Sequence, residues 1–115
     1  MIAVIFEVEQ AEGRMDQYLK LAAALRGELE TIDGFLSVER FLSTSTPNKM
    51  VSLSFFRDER AVQQWRNTTA HRATQARGRA GVFTNYRLRV AEVVRDYGMT
   101  DRAEAPADSV AVHSR

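Results

Sequence analysis

Three side chains of this sequence stand out as candidates for chemistry. The only tryptophan, Trp65, is followed six positions later by His71, one of two histidines, and Tyr86 lies on a later apolar segment. An indole can form the wall of a pocket, and a phenol can bond to a substrate oxygen. A histidine near the start of a helix stays neutral at cytoplasmic pH and can act as a base or a ligand. We predict these three as catalytic residues. The structural alternative is core packing for the two rings and a solvated imidazole for His71.

The composition restricts the kinds of site that these residues could form. The chain has 115 residues, enough for one domain with one core. It has no cysteine, which excludes disulfides, thiolate nucleophiles and cysteine-bound metals. Sixteen basic and fifteen acidic residues leave a net charge of +1, which does not favour nucleic acid or a membrane surface. With no signal-like leader and no apolar run near the ~20 residues of a membrane helix, we expect a cytoplasmic protein.

Several arginines form a second candidate site, for carboxylate or phosphate groups. The alternative is that their charges are solvated or paired with nearby acids. These residues are Arg72, Arg77, Arg79, Arg87 and Arg89.

The hydrophobic periodicity predicts the elements that must position these residues. Strands show alternation with period two, and helices show apolar residues spaced by three and four. A glycine, Gly34, is expected to end the first helix in the left-handed conformation, and Asp58 to cap the second. The predicted strands cover residues 2–9, 35–44, 50–56 and 82–97, and the predicted helices cover residues 13–31, a segment after Asp58 and a short piece at 70–77.

This order, β-α-β-β-α-β, predicts an α+β, ferredoxin-like fold with an antiparallel sheet and helices on one side. Both faces of the predicted sheet carry large apolar residues, which helices on one face cannot cover. We therefore expect a second copy of the chain to pack on the other face as a two-fold homodimer. The domain should span residues 1–98. Residues 99–115 are alanine-rich and polar, and we expect a tail that docks on a partner or is disordered.

The sequence resembles the antibiotic biosynthesis monooxygenase family, small dimeric α+β barrels. The resemblance covers residues 1 to about 97 and rests on Gly34 with Phe35, the run from Leu53 to Glu59 leading to Trp65, then His71, and Tyr86 to Leu88. The family includes cofactor-free oxygenases of phenolic polyketides, relatives that bind and degrade haem, and members without known activity. The resemblance implies the fold directly and the function more loosely.

For the cofactor-free oxygenases, the resemblance implies a substrate held between the sheet and the helices, beside Trp65. A phenol or enol must be deprotonated there, so the protein has to supply a dry pocket and groups that stabilise the anion. Glu7, Phe55 and Arg87 are the predicted substrate contacts. Ala61 stands where the quinone-forming members tend to have an asparagine. The predicted function is a cofactor-independent monooxygenase acting on a small aromatic or quinol compound.

Two alternatives remain at this stage. A haem-binding or haem-degrading protein would need an iron ligand, and His71 lies about one helical turn before the position of the family's histidine, where Thr74 and Gln75 stand instead. The other alternative is a non-catalytic dimer that binds a small hydrophobic ligand. No metal is predicted unless His71 binds haem.

Overall fold

The computed structural model describes residues 1–68, 81 and 83–109. In this part of the chain the order is β-α-β-β-α-β, as predicted. The predicted short helix at 70–77, and His71 within it, lie outside the described residues. The elements are β1 (Ile2–Gln10), α1 (Met15–Glu30), β2 (Phe35–Leu42), β3 (Lys49–Phe56), α2 (Glu59–Arg66) and β4 (Phe83–Glu92).

The four strands form one antiparallel sheet in the order β2-β3-β1-β4. Its two central strands, β3 and β1, are not consecutive in the chain, so each helix crosses over between two strands. This confirms the predicted ferredoxin-like α+β fold. Among the described helices, none combines the length and the hydrophobicity that crossing a bilayer would require.

The two faces of the sheet follow from the alternation of each strand. The helix face carries the buried side chains of Ile2 and Val8 on β1 and of Met50 and Phe56 on β3. These side chains belong to two buried clusters that also include Tyr18 and Leu29 of α1. We call the opposite side of the sheet the outer face. It carries Ile5, Val51, Leu53, Phe55 and Phe41.

The first helix ends differently from the prediction. It ends at Glu30, where the Thr31 hydroxyl donates to the Glu28 carbonyl at 2.6 Å. Gly34 does have a positive φ of 93°, but it lies in the turn into β2. A Cβ there would come within 2.9 Å of the Ala61 Cβ, so glycine is needed for both conformation and close approach.

The second helix begins as predicted. Asp58 is its N-cap, and its Oδ1 accepts from the Ala61 amide at 3.0 Å. Arg57 donates to both carboxylate oxygens of Asp33 at 3.3 and 3.1 Å, which ties the start of α2 to the turn after α1. Because the helix starts at a fixed point, the buried Val62 and the half-buried Trp65 both face the sheet.

The last strand is shorter than the predicted range of residues 82–97. The ladder between β1 and β4 ends at the pair Ile2 and Glu92, with one further hydrogen bond from the Val93 amide to the Met1 carbonyl at 2.9 Å. The apolar alternation continues beyond that point, but pairing with β1 sets the length of the strand. Val94 and Met99, which follow it, are 77% and 93% exposed.

Beyond β4, the described part of the predicted tail makes local contacts. The Arg102 guanidinium lies 5.2 Å from the centre of the Tyr97 ring and donates to the Gly98 carbonyl and the Ser109 hydroxyl. The docking of this tail on a partner stays a prediction, and so does the domain boundary at residue 98.

Candidate functional site

A cavity of about 200 Å³ lies between the helix face of the sheet and the two helices. Its walls are mostly apolar side chains from β1, β2, β4, α1 and α2. It is open along β4, where Tyr86, Leu88 and Val90 line it and are still 44–50% exposed. Small-molecule sites in proteins are typically concave, apolar and supplied with few polar groups. This cavity is therefore the candidate site.

Trp65 reaches the cavity because α2 is held in register at its start. Val62, one helical turn before it, is 6% exposed and belongs to the buried cluster around Phe56. Trp65 packs against the same cluster and also lines the cavity. The indole is thus both core and wall, as the sequence suggested.

The aromatic side of the cavity is built from β1, β4 and α1. The Tyr86 ring lies edge-on to Phe6, with ring centres 5.7 Å apart. Phe83 makes the same kind of contact with Phe6 at 5.9 Å and with Tyr18 at 5.6 Å. Edge-to-face aromatic pairs at these distances stabilise one another beyond the area that they bury. The arrangement fixes the rings around the cavity before any ligand is bound.

The charged side chains described in the cavity are all positive. Of the described residues that line it, three are arginines, Arg26, Arg40 and Arg66, and none carries a carboxylate. Arg26 is already paired with Glu30 at 3.1 Å, and both side chains are more than half exposed. Arg66 is exposed at the end of α2. Arg40 is half-buried, and its Nε is buried with no acceptor in the part of the chain that the structure describes.

The position of Arg40 follows from strand pairing. It lies opposite Ser52, and its neighbour in alternation, Val38, lies opposite Ser54, so all four are on the helix face. Tyr18 of α1 is next to Arg40 and is 5% exposed. Burial raises the pKa of the Tyr18 phenol, and the hydrogen bond and positive charge of Arg40 oppose part of that rise. The phenol therefore stays protonated near neutral pH.

The structure brings together only some of the predicted site residues. Trp65 and Tyr86 line the cavity. Glu7, Phe55 and Arg87 lie on the outer face, because each is one position from a residue that points to the helices. None of the three lines this cavity, and their role as substrate contacts stays a prediction.

On the outer face, Glu7 has a partner of its own. Its Oε2 accepts from Arg89 Nη1 at 2.8 Å, and this bond lowers the pKa of Glu7. Of the predicted arginine site, Arg87 and Arg89 are on the outer face, and Arg72, Arg77 and Arg79 lie outside the described residues. His71 and the haem alternative that depends on it are likewise outside them. Within the described ranges, no three metal-binding side chains come together.

Arg40 and Tyr18 are the functional candidates that the sequence reasoning missed. The signal for Arg40 was its place between Val38 and Leu42, where the alternation of β2 calls for an inward apolar residue. A charged residue at an inward strand position is uncommon unless it has a partner, so this position was informative.

Comparisons with known proteins agree with the geometry. A family model described as antibiotic biosynthesis monooxygenase matches residues 1–77. A curated protein of Pyricularia oryzae, jasmonate monooxygenase ABM, is 46% identical over 93 residues. The match includes 81% of this chain, which spans 43% of the length of that protein.

Solved structures have the same fold at low sequence identity. A Mycobacterium tuberculosis protein has a TM-score of 0.75 at 15% identity, covering 84% of this chain and 98% of its own. The crystal structure of an antibiotic biosynthesis monooxygenase has a TM-score of 0.70 at 17% identity, covering 82% and 99%. At these identities the likeness shows the fold alone.

Proposed function

This chain belongs to the antibiotic biosynthesis monooxygenase family, and we propose that it oxidises a small, mostly apolar organic compound with molecular oxygen. The observation that carries the proposal is the apolar cavity beside Trp65, which lies between sheet and helices. The likeness to a jasmonate monooxygenase supports the reaction type and adds jasmonate to the substrates worth testing. The aromatic and quinol compounds suggested by the sequence remain candidates.

The residues of the cavity suit a reaction that passes through a substrate anion. Apolar walls exclude water and strengthen electrostatic interactions inside the site. The protonated Tyr18 can donate a hydrogen bond to a developing oxyanion, and the Tyr86 hydroxyl is a second candidate donor. The Arg40 guanidinium supplies positive charge at the same site. His71 as the base that removes the substrate proton stays a prediction.

The electron balance separates two forms of the reaction. Conversion of an activated ring CH₂ to C=O by O₂, with release of water, takes all four electrons from the substrate. Insertion of one oxygen atom into a C–H bond, with water as the second product, needs a two-electron reductant in addition. The first form matches the predicted cofactor-independent reaction, and the second would require an added electron donor.

The test is an incubation of the purified protein with jasmonate and with a panel of anthrones and quinols, under oxygen and under nitrogen. Each is run with and without a reductant such as NADH plus flavin. We expect an oxygen-dependent product by mass spectrometry, and a large loss of rate in Trp65→Ala. The matched control is Leu19→Ala, which truncates an exposed side chain on α1. If no compound gave an oxygen-dependent product above a protein-free blank, the proposal would be wrong.

We also propose that the protein acts as a homodimer. Proteins of this family typically form homodimers. The outer face supports this for the present chain, because Phe41 is 44% exposed there and lies beside the half-buried Val51, Leu53 and Phe55. A second copy would remove this apolar surface from water.

A further inference from the structure

We propose that the cavity selects organic carboxylates and that Arg40 is the residue that binds the carboxylate group. The inference rests on the proposed function, because the carboxylate is taken to belong to the compound that the enzyme oxidises. It adds a substrate class and a specificity-determining residue to the site.

The first step of the argument is the unmet hydrogen bond of Arg40. A guanidinium has five N–H donors in a fixed fork and cannot lose its charge at ordinary pH. Arg40 lines the apolar cavity, and its Nε is buried with no acceptor among the described residues. A buried donor on a charged group that lacks an acceptor is costly, and an anion in the cavity would remove that cost.

The second step is that the described contact of Arg40 in the cavity is with the neutral phenol of Tyr18, which does not balance its charge. The lining includes no carboxylate in the described part of the chain. Arg26, by contrast, has Glu30 on its own helix at 3.1 Å and is solvated. Arg40 is thus the lining arginine that combines partial burial with an unfilled donor, and a ligand must bring the negative charge.

The third step is the shape of the ligand that fits. A carboxylate accepts two parallel hydrogen bonds from a guanidinium, and such pairs are stronger and more selective than neutral ones. Tyr18 adds a hydroxyl beside Arg40. The rest of the lining is aromatic and aliphatic. The complementary molecule has a carboxylate at one end and a compact apolar body.

The experiment uses Trp65, the only tryptophan, as a fluorescent probe that lies in the cavity. Jasmonate and methyl jasmonate share one apolar body and differ in the charge of the headgroup. The same comparison is made with naphthylacetate and its methyl ester, in case the body of jasmonate does not fit. We expect each acid that binds to do so about 10- to 100-fold more tightly than its ester, the range for a hydrogen bond to a charged group.

Variants assign this preference to Arg40. Arg40→Met keeps an unbranched, flexible side chain but removes the charge, and should make the acid and the ester bind equally. Arg40→Lys keeps the charge but loses the planar guanidinium that can form two parallel hydrogen bonds. It should retain part of the preference for the acid over the ester. The matched control is Arg14→Met, which removes an exposed arginine whose contact is with Gln17. It should bind as the wild type does.

The outcomes decide between this inference and the proposed function. Esters that bind as tightly as acids to the wild type, or a preference that survives in Arg40→Met, would overturn it. The first result needs no variant, so a variant that fails to fold cannot hide it. If neither acid quenches or shifts Trp65 fluorescence, the inference is also wrong. Charge-selective binding without any oxygen-dependent product would instead retain this inference and contradict the proposed function.

Discussion

The two faces of this sheet are built from the same four strands but differ in how their arginines are paired. On the outer face, Arg89 is half exposed and is hydrogen-bonded to Glu7 at 2.8 Å. On the helix face, Arg40 lines a cavity whose described residues include no carboxylate and no acceptor for its buried Nε. Arg89 therefore has both an acidic partner and contact with solvent. The proposed carboxylate ligand would give Arg40 the acidic partner that it lacks among the described residues, whereas Arg89 has one on the neighbouring strand.

Alanine substitutions at two adjacent residues of β3 should give the largest difference in stability between the two faces. Phe56 is fully buried beneath α2, and Phe55 is half-buried on the outer face. Phe56→Ala should lower the free energy of unfolding by about 3–5 kcal/mol, because it leaves a cavity in the core. Phe55→Ala should lower the free energy of unfolding by clearly less. Chemical denaturation in dilute protein, where contact between chains contributes least, provides the measurement. Equal losses would mean that the outer face is packed as tightly as the core.

The next prediction tests whether a second copy of the chain covers the outer face. Leu53 lies at its centre, paired with Ile5 on one side and Glu39 on the other. Leu53→Glu should convert a dimer to a monomer, because a carboxylate would be buried between the copies. Light scattering coupled to size exclusion measures the mass. The matched control is Leu19→Glu, which makes the same change at a 41% exposed residue of α1 and should leave the dimer intact. A Leu53→Glu protein that is still dimeric would place the contact elsewhere.

A smaller effect is expected at the hydroxyl beside Arg40. Tyr18→Phe keeps the ring that packs on Phe83 but removes the donor. Affinity for an acid should fall about 5- to 10-fold, as for one lost hydrogen bond, and affinity for its ester should hardly change. Tyr86→Phe is the comparison, since it removes a hydroxyl from the more exposed side of the cavity. Equal losses for acid and ester in Tyr18→Phe would show that Tyr18 acts through packing alone.

The alternation of the strands is enough to predict which side chains share a face of the sheet. It puts Tyr86, with Leu88 and Val90, on the side that lines the cavity. The same rule puts Glu7 on the opposite face from Phe6, which lines the cavity. By the same rule Arg40 takes an inward position on β2, between Val38 and Leu42.

Other features could not be derived from a local pattern. The end of β4 depends on where β1 can pair with it, and the apolar alternation itself runs further. The end of α1 depends on Thr31, while Gly34 is needed for a contact with Ala61 that is distant in sequence. Arg40 of β2 and Tyr18 of α1 are far apart in sequence and come into contact only in the folded chain. Such long-range contacts appear only when the fold is assembled.

The smallest expected effect is the pH response of the paired charge on the outer face. The hydrogen bond from Arg89 lowers the pKa of Glu7, so the folded state holds the charged carboxylate more strongly than the unfolded chain does. The contribution to stability is therefore complete above the ordinary pKa of a glutamate and is lost as the pH falls through the lowered value. Glu7→Gln should remove this part of the pH dependence with little change in stability near neutral pH, because the pair is exposed to solvent. Urea denaturation of the two proteins between acidic and neutral pH measures the difference, with Glu12→Gln, an exposed carboxylate in the turn before α1, as the control. If Glu7→Gln instead destabilised the protein as much as Phe56→Ala does, the outer face would carry a buried charge pair, and the contrast between the two faces would be wrong.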